Sequence, residues 1–118
     1  MPVIRNSDVK FEEVAPGWMR RLLVNQEMGG AGACTLGEVI MEPGASLIMH
    51  NHKLEEVFFI TDGTATLIVD GETTTVEPNS AILVPAGAKH LLANKAQEPL
   101  GFIFFHPGIN VGREVFES

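Results

Sequence analysis

Three histidines and one glutamate are spaced so that short extended strands would bring them to a single point. His50 and His52 are two residues apart, Glu56 follows four residues later, and His90 comes just after the turn sequence Pro85-Ala86-Gly87. In a strand, successive side chains point to opposite faces, so residues two apart share a face. A strand over 47–52 then puts Ile48, His50 and His52 on one side, with Leu47, Met49 and Asn51 opposite. By the same rule Glu56 shares a face with Phe58 and Ile60, and His90 with Leu92 and Asn94. Turned into one interior, the four polar groups would stand among apolar walls, where an unpaired polar or charged group is expensive. A divalent transition metal removes that cost, because it binds neutral imidazole and ionised carboxylate directly. Mn, Fe, Co, Ni, Cu and Zn all accept such a mixed N/O set. If the ion is octahedral, two adjacent positions stay open. Open positions allow polarisation of a chelating substrate or activation of bound water, and equally O₂ chemistry on Fe or Mn.

The elements that must carry these residues are short strands. Turn residues recur at Pro16-Gly17, Gly29-Gly30, Pro43-Gly44, Asp62-Gly63, Asp70-Gly71, Pro78-Asn79, Pro85-Ala86-Gly87 and Pro107-Gly108. Between them lie segments rich in Val, Ile, Phe and Thr, the pattern of an all-β barrel or sandwich. Strands are expected over 20–24, 34–42, 47–52, 56–61, 64–69, 72–76, 81–84, 90–94 and 100–106. Asp70-Gly71 reads as a tight hairpin turn, because both positions tolerate φ > 0. No window keeps a 3.6-residue apolar period, so no long amphipathic helix is expected. At 118 residues the chain is read as one domain, 1–118. Its first 25 or so residues precede the main pattern and are expected to pack on the barrel or on a partner subunit.

Composition narrows the partners. With 15 acidic against 8 basic residues the formal charge is −7, and Arg20-Arg21 is the only adjacent basic pair. Nucleic-acid binders need a basic stripe to neutralise phosphates, so neither nucleic acid nor an anionic membrane is an expected partner. No apolar run approaches the roughly 20 residues of a membrane span, and the polar opening lacks a secretory h-region. The lone Cys34 can form no internal disulfide. The cytoplasm is the expected location.

The run Gly44, five residues, His50-x-His52, three residues, Glu56, six residues, Gly63 resembles the first motif of the cupin superfamily. Pro85-x-Gly87, two residues, His90, three residues, Asn94 resembles the second. The glycine of that second motif is Asn79 here, and Asn is the non-glycine residue that best tolerates φ > 0, so the turn should survive. Together the motifs cover 44–94. The resemblance implies an antiparallel jelly-roll β-barrel, open at one end. It implies His50, His52, Glu56 and His90 as metal ligands, with Gly63, Pro85 and Gly87 shaping turns and Asn94 either structural or lining its strand. Both motif spacing and strand phase favour Glu56 over its neighbour Glu55. Cupins are commonly dimers, so a homodimer is implied, with Trp18 and the N-terminal segment packing across its interface. The chain has no tyrosine, which excludes the Cys–Tyr cross-link of some thiol-oxidising cupins. Its single His/Glu set fits small stand-alone cupins better than two-domain enzymes such as oxalate decarboxylases.

Other residues carry two readings each. His106 shares a face with Phe102 and Phe104 and is either a general acid or base at the barrel mouth or the structural end of its strand. Glu38 sits on a face with Leu36 and Ile40, so either that face is partly wet or Glu38 meets Arg20 or Arg21. Cys34 is expected to be a small core hydrophobe. Three functions follow. The first is metal-dependent Lewis-acid and acid–base chemistry on a small oxygen-rich substrate, such as a keto or sugar acid, with Glu56 or His106 moving protons. The second is an Fe- or Mn-dependent dioxygenase, and the third a non-catalytic module that binds or senses a small ligand.

Overall fold

The computed structural model describes residues 3–25, 34–107 and 114–115. The strands are β1 (Glu12–Ala15), β2 (Trp18–Val24), β3 (Cys34–Met41), β4 (His50–Asn51), β5 (Glu56–Asp62), β6 (Ala65–Val69), β7 (Glu72–Val76), β8 (Ala81–Val84), β9 (His90–Ala93), β10 (Leu100–Pro107) and β11 (Glu114–Val115). One 3₁₀ turn, Asn6–Asp8, precedes them. A six-stranded sheet runs β1-β2-β3-β10-β5-β8, and a five-stranded sheet runs β11-β4-β9-β6-β7. From β4 onward the chain crosses repeatedly between the sheets, rolling the two into the antiparallel jelly-roll barrel that the cupin resemblance implied.

The interior is built by alternation. In β3, Thr35, Gly37, Val39 and Met41 are buried while Leu36, Glu38 and Ile40 are not. In β5, Glu56, Phe58 and Ile60 are buried while Val57 and Phe59 are exposed. Cross-strand register then stacks Leu22, Gly37, Phe104, Phe58 and Ile82 into one rung across the six-stranded sheet. Gly37 is required there, because a Cβ would overlap the Phe104 ring. Phe58 and Phe102 meet edge-on at 5.4 Å between centroids and anchor the core.

The turns follow their sequence signals. Asp70 and Gly71 both take positive φ, 47° and 85°. Asn79 has φ 65°, the left-handed conformation expected of the residue that replaces a glycine there. Asn94 is fully buried and structural. Its Nδ2 donates to Met41 O at 3.0 Å and Glu98 O at 2.8 Å, and its Oδ1 accepts from Ala96 N at 3.0 Å.

Two expectations need correction. The strand expected over 47–52 is reduced to β4. The segment before it is held against 92–94 by three backbone bonds, Gly44 N to Asn94 O, Asn94 N to Ala45 O and Leu47 N to Leu92 O, and a bend at Met49 resets the alternation. Leu47 is therefore buried and Ile48 is 45% exposed, the reverse of the expected phase. Second, Cys34 is only half-buried, at the start of β3. Of the two placements expected for the N-terminal segment, the structure shows packing on the barrel, which gains two strands from it, with Trp18 against the core. Of the two readings of Glu38, it shows the cationic partner: Glu38 lies across from Arg21 in register and pairs with both its Nε (2.7 Å) and its Nη2. Short β1 had no readable signal, since three of its four residues are exposed and its register is broken by a bulge.

Candidate metal centre and pocket

The two sheets bring the four residues together from opposite sides. Glu56 opens β5 in the six-stranded sheet, opposite Val84. His50 and His90 face each other across β4 and β9 in the five-stranded sheet. His52 lies just beyond β4, and its carbonyl accepts from Gly87 N at 2.8 Å, tying it to the turn that precedes His90. One ligand atom from each of His50, His52, Glu56 and His90 lies within 4.8 Å of the others. With metal–ligand bonds of about 2.1 Å, adjacent ligands stand about 3 Å apart and opposite ligands about 4 Å. Glu56 Oε1 to the His52 and His90 nitrogens, at 3.4 and 3.5 Å, falls within that range, and the 4.8 Å limit on the whole cluster is close to it.

Backbone contacts aim the imidazoles. His50 Nδ1 meets Ile48 O at 2.6 Å and His90 Nδ1 meets Ala88 O at 3.0 Å. Because a carbonyl only accepts, each Nδ1 carries a proton, and each ring turns its Nε2 to the cluster, as a lone pair toward an ion or as an N–H toward Glu56 when none is bound. Glu56 is 7% exposed, while Glu55 faces solvent. Its Oε1 lies 3.4 Å from His52 Nε2 and 3.5 Å from His90 Nε2. Burial pushes the Glu56 carboxyl upward, but the attraction of His52 and His90 outweighs it and holds the pKa at about 2. Glu56 Oε1 and His90 Nε2 are nevertheless buried with no hydrogen-bond partner among the described residues. Two orphaned ligand atoms, one anionic and one a lone pair, fit a cation between them.

The cluster opens onto a cavity of about 120 Å³. His50, His52 and Glu56 form one side, Phe58, Phe102 and Phe104 the floor, and Trp18, Val39 and Leu47 further apolar wall. His106 also lines it, so the structure joins the sequence-derived acid/base candidate to the cluster. Its ring stands 6.4 Å from that of His52 and 6.1 Å from that of Phe104. His106 Nδ1 meets Pro107 O at 3.3 Å, which leaves Nε2 as the acceptor of a neutral ring.

Trp18 and Arg20 were not legible as pocket residues. The expected strand began only at residue 20, which left Trp18 outside the alternation. Extending it two residues sets Trp18, Arg20 and Leu22 on one face, and the structure turns that face inward.

Comparison with known proteins agrees with the architecture. A family model described as a cupin domain matches residues 37–106. The tetracenomycin polyketide synthase protein TcmJ of Streptomyces glaucescens is 27% identical over 101 residues, covering 81% of this chain and 68% of that protein. The polyketide synthase protein CurC of Streptomyces cyaneus is 27% identical over 109 residues, covering 88% of this chain and 71% of that protein. Among solved structures, the polyketide cyclase RemF of Streptomyces resistomycificus superposes with a TM-score of 0.88 at 26% identity, covering 100% of this chain and 87% of that one. With both motifs folded around one His/Glu cluster and the family model spanning more than half of its length, the chain belongs to the cupin family.

Proposed function

We propose that this cupin is a metal-dependent enzyme that cyclises a poly-β-carbonyl substrate, with His50, His52, Glu56 and His90 as the metal ligands. The observation that carries the reading is the orphaned pair Glu56 Oε1 and His90 Nε2 beside an aromatic cavity. The polyketide cyclase and synthase relatives support the substrate class. Pocket chemistry supports it too. Phe58, Phe102, Phe104 and Trp18 make a flat-ring environment, whereas a sugar acid would need several hydroxyl-binding groups. Beyond the cluster, the polar groups lining the cavity among the described residues are Arg20, His106 and the Trp18 indole, whose buried N–H has no partner.

A divalent ion bound there supplies Lewis-acid polarisation of two neighbouring carbonyl oxygens. The chain's own residues do the rest. His106 Nε2 takes a proton from the carbon between two carbonyls, and the aromatic walls hold the flexible chain folded so that this carbon reaches a remote carbonyl. The new carbon–carbon bond leaves an alkoxide, to which the His106 imidazolium returns the proton. The cavity walls then exclude bulk water from the reactive product.

A homodimer belongs to the same reading. Val57, Phe59, Leu83 and Phe105 are exposed on the outer face of adjoining strands β8, β5 and β10, an apolar patch suited to a second copy.

The test is deuterium incorporation into the methylene between the two carbonyls of 1-phenylbutane-1,3-dione, followed by NMR as its initial rate in D₂O. The metal-loaded protein should accelerate it, and both metal removal and His106→Ala should abolish the acceleration. A loaded protein that leaves the exchange rate at that of buffer with free metal overturns the cyclase reading.

A further inference from the structure

β2 carries two adjacent arginines, and alternation sends them to opposite faces. Arg21 points out and is fully engaged. It pairs with Glu38, donates to Asn6 O at 2.8 Å and Val9 O at 3.2 Å, and lies over the Phe11 ring at 4.1 Å. Arg20 points in. It stands in register with Val39 of β3, which is next to Phe102 of β10, and all three line the cavity. Among the described residues the Arg20 side chain has no hydrogen bond and no ion pair. Glu12 stands opposite Arg20 in the β1–β2 register, but it is exposed and no ion pair joins the two. The one carboxylate lining the cavity, Glu56, is turned toward His52 and His90.

A half-buried guanidinium cannot shed its charge, and apolar walls make an unpaired charge costly. Structural arginines are therefore matched by their own chain, as Arg21 is. Among the described residues Arg20 is matched by nothing, and it lies in the same cavity as the metal cluster. We infer that Arg20 binds a carboxylate on the substrate, so that the pocket takes a free aromatic or poly-β-keto acid and not a neutral ester, amide or thioester of it. This rests on the proposed function for the position of the reacting carbonyls, and it adds the end group that orients them. The planar fork of a guanidinium matches a carboxylate with two parallel hydrogen bonds, which fixes the direction of the bound chain as well as its affinity. Three neutral imidazoles and one carboxylate around a divalent ion leave the cluster net positive, so the loaded cavity also favours an anion despite the acidic surface.

The experiment is calorimetric titration of the whole protein, loaded with metal and metal-free, with benzoate, salicylate and 2-naphthoate, each against its primary amide. Wild type should bind at least one carboxylate about tenfold or more tighter than its amide. Arg20→Met should erase that preference while leaving amide binding and metal content unchanged, and Arg20→Lys should keep part of it. Equal loss of acid and amide binding in Arg20→Met would mean a merely structural role and overturn the proposal. So would a wild-type protein that takes no carboxylate more tightly than the amide. A protein that holds no metal yet keeps the Arg20-dependent preference would sink the proposed function and leave this inference standing.

Discussion

His90 Nε2 stands 3.5 Å from Glu56 Oε1, and both atoms are buried without a hydrogen-bond partner among the described residues. Folding without an ion leaves these atoms desolvated and unsatisfied, which costs about 1–3 kcal/mol for each neutral group and more for a charged one. A cation that binds only the folded state recovers that cost. At a free metal concentration of 100 times Kd the gain is about 2.7 kcal/mol, or about 10 °C in Tm for a domain of this size. Scanning calorimetry with and without chelator checks it, and His52→Ala should remove most of the difference.

The metal-free protein should lose stability in acid through Glu56. Its carboxyl is held at about 2 in the folded state against an ordinary 4.5. A depressed folded pKa contributes stability that is complete above pH 4.5 and is lost as the pH falls toward 2. Urea unfolding of wild type and Glu56→Gln across that window should give curves that converge as the pH drops. Parallel curves would mean that the carboxylate gains nothing from His52 and His90.

Asn94→Ala should destabilise the fold without touching the metal ligands. The change strands the buried carbonyl of Met41 and removes the side-chain partner of the part-buried Glu98 carbonyl and Ala96 N–H. The expected loss is about 3 kcal/mol, read from denaturant midpoints at unchanged slope. Metal stoichiometry of the folded fraction should be unaltered.

Much of this molecule was readable before any coordinates. Glu72–Val76 and Ala81–Val84 match their expected spans residue for residue, because Asp70-Gly71, Pro78-Asn79 and Pro85 bound them sharply. Glu56 was separable from Glu55 by motif spacing and strand phase together. The phase rule fails over 45–49, where the chain leaves regular pairing, so that Leu47 and Ile48 exchange faces; no local signal marks such a bend. Arg20 illustrates a different limit. Residues 20 and 21 are chemically identical in sequence, and only the register of β2 against β3 decides which one meets Glu38 and which enters the cavity.

The outer patch predicts self-association. Leu83 is 60% exposed, with Val57 its partner across β5 and β8 and Phe105 next to Val57 across β5 and β10. Sedimentation of wild type should give a dimer at micromolar concentration, and Leu83→Glu combined with Phe105→Glu should give a folded monomer. An unchanged sedimentation coefficient in the double variant would move the interface elsewhere.

The most direct test of the metal centre is elemental analysis of untagged protein purified without chelator, beside His52→Ala and Glu56→Ala. The account predicts about one equivalent of one transition metal in wild type, lost or sharply reduced in both variants while their circular dichroism stays that of a β-protein. Folded wild type that remains metal-free after incubation with Mn, Fe, Co, Ni, Cu and Zn in turn would contradict it.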